Sequence, residues 1–477
     1  MSSRNSPNEY PQQCPWVMRI GVFFDGTGNN KENDLPRGKA SNIAKLSDSY
    51  PERIVDAEML HYEMHYENGV GTIDGVDEVN YELSGLALGD GAIQRVHRAI
   101  KETAKFFDER PCAKEFIVDV FGFSRGAAQA RHFVNEIHDR AAGPNVRIGF
   151  VGLYDTVASF VDGWAGAIGL KKDRAGDNIN NAKWEVEAGT QTVRRGNREV
   201  EVPYYQTMIQ PFNFHLNASS AEYIEHYTAR DEVRKNFPLS SLLPHDGGGL
   251  NQQEFIGVHS DIGGGYGDDE GEYENKLVRI GRLELRHGQR AGAFDRVGRI
   301  NPEIYRIRYL LSEEEVNHIR EQGEQAGYAV NEERRGNGIW LVGRKKVKKQ
   351  LANVYLHLMH KRAVEAGVPL KRLRNNPEHN IPEDLEDYAK LIINEEAGAQ
   401  IDEIKIYTNY VHQSDVDPED RAPIFKIKSF FSDLANEPDE GEIRTVFDNE
   451  PHNAVDPDAN DRQDAYGAEI NLENLSV

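Results

Sequence analysis

At 477 residues the chain is long enough for one large domain or two ordinary ones around a substantial buried core. Its 79 acidic residues against 56 basic ones give a net charge of −23, which favours solubility and argues against a nucleic-acid partner, whose binder would present a basic face. Two cysteines, Cys14 and Cys112, are too few for a disulfide framework or a thiolate zinc site and read as unpaired thiols of a protein made in the cytosol; no metal and no cofactor is expected.

Residues 1–17 form a polar, proline-bearing leader without the apolar stretch of a Sec signal, and no run approaches the roughly 18 apolar residues of a membrane span. Any work on lipid is therefore expected from a surface. "WVMRIGVFFDGTGNN" predicts a strand from Met18 to Phe24 ending in a Gly/Asn/Asp turn, and "MLHYEMHY" a second strand before the turn "NGVGT". Ile93, Val96, Ile100, Ala104 and Phe107 recur at three- and four-residue steps, the stripe of an amphipathic helix. "EFIVDVFGF" then predicts a strand, "SRGAAQARHFVNEIHDRAA" a helix and "VRIGFVGLYDTV" a strand. This alternation predicts an α/β fold with a mostly parallel sheet covered by helices on both faces.

The catalytic core is placed at residues 18–267, and within it 158–250 loosens into a candidate lid or cap insertion before the short strand "EFIGV" and the glycine run "HSDIGGGYG". Residues 268–350 read as a charged inserted subdomain, with strand-like "KLVRIGRLELRHG" and helix-like "SEEEVNHIREQGEQAG". Residues 351–431 return to the core through the helix "LANVYLHLMHKRAVEAG" and a helical extension. From 432 to 477 there are 13 acidic residues against Arg444 and Arg462 alone, a tail expected to be extended or loosely docked.

The chemistry is expected at Gly122-Phe123-Ser124-Arg125-Gly126, a GxSxG where a buried-looking strand meets a helix. Such a turn crowds the strand against the helix and leaves no room for a Cβ at Gly122 or Gly126. Ser124 is the candidate nucleophile; an anion-binding helix N-terminus is the alternative. A serine hydroxyl needs a base held by an acid, and in an α/β-hydrolase these follow in the order Ser, Asp, His, each at a strand end. Asp155, directly after "IGFVGLY", fits the acid, and His259, after "EFIGV", fits the base; a turn aspartate and a loop histidine are the plainer alternatives. Asp119 lies inside a strand, and Asp162, Asp231 and Asp261 show no strand before them. The oxyanion hole is expected from the backbone amides of Arg125 and of Gly26 and Thr27 in "FFDGTGNN", with Asp25 either bracing that loop or acting as an ordinary turn residue.

"GVFFDGTGNN", "NGVGT", "FGFSRGAAQARHF", "VGLYDTVASF", "HYTARDEVRKNFP" and "GVHSDIGGGY" occur in the order found in an α/β-hydrolase family, so the chain resembles the bacterial type VI secretion lipase effectors of the GxSxG class 1. The resemblance spans about residues 18–267 and resumes at "VYLHLMHKRAVEAG". It implies an α/β-hydrolase fold with inserted cap segments. It further implies a lipase or phospholipase using Ser124, Asp155 and His259, delivered by a secretion-apparatus component into a rival cell's periplasm and neutralised in the producer by an immunity protein. "YVHQSDVDP" is similar to a late His-Ser element of this branch and makes His412 the second candidate base.

In "ASFVDGWAGAIGLKK", Phe160, Trp164 and Ile168 stand at four-residue steps, either a lid face that contacts a phospholipid membrane or an ordinary buried helix. "RKKVKK", Arg344 to Lys349, is a dense basic cluster, either a headgroup contact or a solvated face. Two other functions stay open: an esterase of small soluble esters, and a binding module on a hydrolase scaffold. A Rossmann site is excluded because "GTGNNK" lacks the third glycine, and "GDDEGEYE" does not have EF-hand spacing.

Overall fold

The computed structural model describes residues 16–55, 59–72, 92–140, 146–158, 181–195, 198–234, 237–245, 247–267, 273–285, 305–325, 328–335, 338–396, 401–412, 444 and 446–449. The first strand, β1 (Val17–Phe24), shows why a two-sided sheet forms. Met18, Ile20, Val22 and Phe24 are buried on one face and Phe23 on the other, so both faces need a cover. The sheet around it has seven strands in the order β10-β8-β5-β4-β1-β3-β2. These are β2 (Arg53–Val55), β3 (Leu60–Glu67), β4 (Glu115–Phe123), β5 (Val146–Tyr154), β8 (Tyr223–Ala229) and β10 (Leu250–Phe255). All pairings are parallel except β2 with β3 at one edge.

One face is covered by α2 (Ala92–Asp108) and α3 (Arg125–Arg140), which bring Val96, Ile100, Phe107, Phe133 and Ile137 against β1 and β4. The other is covered by α1 (Asn42–Ser49) and α6 (Leu351–Glu365), with Ile43, Leu46, Val354 and Met359 against Phe23, Phe121 and Phe150. Phe121 stacks on Phe23 at 4.9 Å between centroids, which ties β4 to β1 at the level of the site. Helices α7 (Glu386–Asn394) and α8 (Glu403–Tyr410) extend the second layer. The parallel α/β sheet with helices on both faces is thus as the alternation predicts.

Several elements differ from the sequence reading. The strand expected at "EFIGV" starts earlier and ends at Phe255, and His259 opens a short helix, α4 (His259–Gly263). Inside 158–250, where the pattern loosens, lie the antiparallel pair β6 (Asn181–Arg195) and β7 (Arg198–Pro211) and the core strand β8. A separate antiparallel sheet, in the order β12-β11-β14-β13, is built from β11 (Tyr273–Leu285), β12 (Tyr305–Tyr309), β13 (Ala329–Arg335) and β14 (Gly338–Lys345), with α5 (Glu313–Gln325) alongside. Part of the acidic tail is docked: β15 (Val446–Phe447) pairs in parallel with β9 (Leu239–Ser240).

The expectation of unpaired thiols is corrected at Cys112, which is disulfide-bonded; Cys14 lies outside the described residues. The physical reason is register. Val17 stands opposite Glu115, and the amides of Lys114 and Glu115 both donate to Trp16 O, so the segment entering β1 runs beside the turn that carries Cys112. The basic cluster is also engaged rather than free. Arg344 pairs with Glu333, Lys348 with Asp384, and Lys349 with Glu378. Phe160, Trp164 and Ile168, the candidate lid residues, lie outside the described residues, and among those described no helix is long and apolar enough to cross a membrane.

Candidate active site

After β1 the chain crosses to β3 at one side and then returns to β4 at the other, so the sheet's order reverses between β1 and β4. In open α/β sheets ligands bind at the carboxyl ends of the strands at that reversal. Here those ends carry Asp25-Gly26-Thr27 after β1 and Ser124 after β4.

Ser124 has φ of 58°, the left-handed conformation of a strained elbow, and α3 begins at the next residue. The expected crowding is present. A Cβ on Gly126 would stand 2.4 Å from the carbonyl oxygens of Phe24 and Asp25, and one on Gly122 2.6 Å from Ala127 Cα. Only glycine lets α3 press this closely on the loop after β1. The Ser124 amide donates to Tyr154 O at 3.0 Å, which sets Ser124 beside Asp155 on the neighbouring strand end. The Ser124 hydroxyl makes no hydrogen bond among the described residues.

Asp155 is fully buried, and its φ of 41° turns the carboxylate away from the strand. Its Oδ2 lies 2.5 Å from His259 Nδ1, and its Oδ1 accepts from the Ala229 amide at 2.9 Å. Because an ionised carboxylate only accepts, Nδ1 of His259 carries the proton and Nε2 is the basic nitrogen when the ring is neutral. The ring lies between Phe123, at 4.6 Å, and Phe237, at 5.0 Å, and its amide donates to Glu232 Oε2 at 3.3 Å. Burial lowers the His259 pKa more than the bond and charge of Asp155 raise it, so the ring is held neutral. Burial by itself would raise the Asp155 pKa, but the charge of Arg444 and the His259 hydrogen bond outweigh it and hold the group far below the usual carboxylate range. Glu232 is similarly lowered to about 2, the Arg234 guanidinium outweighing the burial that opposes it.

The other candidates are elsewhere engaged. His412 pairs with Asp261, Nδ1 to Oδ1 at 2.5 Å, and stacks on Tyr266 at 3.8 Å, so the histidine on Asp155 is His259. Asp119 takes Arg19 and Tyr50 inside the sheet. Asp231 does follow a strand, β8, contrary to the sequence reading; its carboxylate is taken by the Gly257 amide at 2.7 Å and by Tyr407 at 2.8 Å.

Asp25 braces the loop after β1. It accepts from Ser41 Oγ at 2.8 Å, from Tyr66, and from the Gly26 amide at 2.7 Å, and burial raises its pKa to about 6 against those bonds. The Gly26 N–H therefore points into the loop's own brace. The amide of Thr27 makes no hydrogen bond among the described residues, and its hydroxyl accepts from Arg125 Nε at 2.5 Å, which links the two loops.

The family profile described as T6SS, phospholipase effector Tle1-like, catalytic domain, matches residues 18–141 and 132–285, together more than half of the chain. The chain belongs to this family. It carries the catalytic domain of Tle1-like phospholipase effectors of type VI secretion, and with it ester-hydrolase chemistry. A solved structure of the Tle1 effector bound to the VgrG spike from the type VI secretion system shares the fold, at 21% identity and a TM-score of 0.56, over 91% of this chain and 94% of that one. A crystal structure of an uncharacterized protein from Pseudomonas aeruginosa aligns at 19% identity and a TM-score of 0.40, over 83% of this chain and 53% of that one. No curated protein matches by sequence.

Sequence reasoning missed Arg444. Its guanidinium donates to both oxygens of Asp155, Nη1 to Oδ1 at 2.7 Å and Nη2 to Oδ2 at 2.8 Å, while Nε donates to Phe237 O at 2.7 Å. The available signal was a cation standing almost alone in an acidic tail.

Proposed function

We propose that this Tle1-like protein is an A-type phospholipase in which Ser124 is the nucleophile, His259 the base and Asp155 the group that orients and supports it. The observation that carries the reading is the buried Asp155–His259 pair, 2.5 Å apart, at the strand end beside a serine in a left-handed elbow. His259 Nε2 takes the proton of the Ser124 hydroxyl as the oxygen attacks the acyl carbonyl carbon, and the carbonyl π electrons move to its oxygen. The amides of Arg125 and Thr27 are the oxyanion donors, with Gly26 committed to the Asp25 brace. Collapse of the intermediate expels the glycerol oxygen, which receives the proton from His259 and leaves as lysophospholipid. Water then gives a proton to His259 and attacks the acyl-enzyme; fatty acid departs and Ser124 is reprotonated.

The substrate is the acyl ester of membrane phospholipid, met from the bilayer surface, and the setting is antibacterial, with a VgrG-type spike as carrier, the target periplasm as destination and an immunity protein in the producer. The test compares fatty-acid release from phospholipid vesicles by the wild type and by Ser124→Ala. Release by the wild type alone supports the reading. Cleavage of short nitrophenyl esters without release from vesicles moves the substrate to small soluble esters, and equal release by both proteins overturns Ser124 as nucleophile.

A further inference from the structure

A guanidinium clamped on the acid of an Asp–His pair has an electrostatic consequence for the histidine. The strap that delivers it is anchored by strand pairing and by buried polar bonds of its own. Val446 and Phe447 pair with Leu239 and Ser240, and the Ser241 amide donates to Phe447 O at 2.9 Å. Asn449 is buried and tied on several sides: its amide donates to Leu243 O at 2.9 Å, its Nδ2 to Leu216 O at 2.7 Å, and its Oδ1 accepts from the Leu216 amide at 3.2 Å. The same Oδ1 accepts from Arg131 Nη2 at 3.2 Å, a buried guanidinium of α3 whose other donors go to Phe214 O, Ser240 O and Ser241 O. The strap is therefore fastened to the helix that follows the proposed nucleophile, and Arg444 reaches from it to Asp155.

We propose that Arg444 is a positioning residue of the active site: it fixes the Asp155 carboxylate in place and, by partly neutralising it, tempers the basicity of His259, so Arg444 and the docked residues 446–449 complete the catalytic centre. This rests on the proposed Ser124–His259–Asp155 reading. Without the cation, Asp155 would draw a proton onto His259 more strongly, since a buried carboxylate left with only the Ala229 amide and the imidazole is best neutralised by imidazolium. The other charged groups around the ring are Glu232 with its partner Arg234, the Asp261–His412 pair that follows on α4, and His226, which faces Asp155 from β8. Arg444 also acts by its charge on Glu232 and His226, so Arg444→Lys, which keeps that charge, is read beside Arg444→Gln. With the cation, His259 stays neutral to lower pH and the site can work in mildly acidic surroundings.

The test is the titration of the His259 imidazole by NMR in the full chain, with His259→Ala to assign the resonance, alongside the pH profile of fatty-acid release from phosphatidylglycerol and phosphatidylethanolamine vesicles. In Arg444→Gln the His259 midpoint is expected to rise by about one pH unit, a tenfold change in protonation, and the acid limb of kcat/KM to move up with it. Arg444→Lys keeps the charge and is expected to stay within about 0.3 units of the wild type on the same scale. An unmoved midpoint in folded Arg444→Gln overturns the proposal, as does a Lys variant shifted by a full unit, which remains decisive where the Gln variant does not fold. A strap that served folding alone would lower the amount of active enzyme and leave the acid limb in place. The titration reads Arg444 without substrate, so an absence of lipid hydrolysis by the wild type counts against the catalytic reading and not against the clamp.

Discussion

Replacing Asp155 by asparagine is expected to cost stability as well as activity, because this carboxylate has a second client besides its histidine. The group is fully buried and serves four donors: the Ala229 amide, His259 Nδ1, and both terminal nitrogens of Arg444. An amide offers one acceptor oxygen and turns an N–H toward either the guanidinium or the imidazole. The Arg444 side chain, 8% exposed, is then left with its charge unpaired. Breaking a buried pair in this way costs about 3–5 kcal/mol, whereas removing both members together costs much less. Turnover should fall by roughly 10⁴, the scale on which an amide replaces the acid of a serine triad. The assay is the urea midpoint of Asp155→Asn, Arg444→Gln and the double variant, read by far-UV circular dichroism. A double variant more stable than Asp155→Asn is the expected result, since the stranded cation is gone. If Asp155→Asn unfolds at the wild-type midpoint, or if the two losses simply add, the pair is not an energetic unit and the reasoning fails.

Ser124→Gly should abolish fatty-acid release yet raise the unfolding free energy by about 1 kcal/mol, because the φ of 58° strains every residue but glycine; a destabilised variant would count against stored strain. Gly126→Ala puts a methyl 2.4 Å from the carbonyls of Phe24 and Asp25 and should cost about 1–3 kcal/mol while lowering kcat more than it raises KM, since it moves the Thr27 loop away from the elbow; unchanged steady-state kinetics would refute this. His226, buried on Thr156 and Gln252, has its pKa lowered to about 3, chiefly by burial and then by Arg131. The unfolded chain therefore takes up a proton that the folded one refuses as pH falls from about 6.5 toward 3, so stability is lost across that window at up to roughly 1.4 kcal/mol per unit. Asp25, raised to about 6 by burial, works in the opposite sense between about 6 and 3.8, so the informative quantity is the difference between the wild type and His226→Gln, which should grow steadily below pH 6.5. A difference independent of pH would show that His226 is protonated in the fold.

The parts of the fold that could be read from sequence are those where local pattern and tertiary environment agree. β1, β4 and β5 are near-continuous apolar runs because both faces are covered, and α2 shows a clean stripe because only one of its faces is. β8 was not legible, since "YIEHYTA" places Glu225 and His226 in a core strand. His226 is satisfied there by Thr156 and Gln252, and Glu225 by Asn251, partners that no periodicity announces. The pairing of the proposed base and acid was legible for a different reason: the chemistry fixes which residue types must follow strand ends, and Asp155 and His259, which lie 2.5 Å apart, meet that order although the strand before His259 stops at Phe255.

The strap is the instructive failure. A stretch with thirteen acidic residues and two arginines looks like solvated chain, and two residues of β15 are too few to show a strand period. What docks it is a set of specific polar bonds, Asn449 to the Leu216 and Leu243 backbone and to Arg131, and Arg444 to Asp155 and Phe237 O. Such bonds leave no hydrophobic signature. Yet they account for the charge pattern itself. Arg131 lies inside the protein with no carboxylate partner among the described residues, its pKa lowered to about 9 by burial, and Asn449 completes its shell without adding charge. Arg444 instead meets a buried anion and neutralises it. The neutral residue serves the lone cation and the basic residue serves the anion, so the order Arg then Asn along the strap matches the charge each must face, and exchanging the two residues would leave both buried ions worse off.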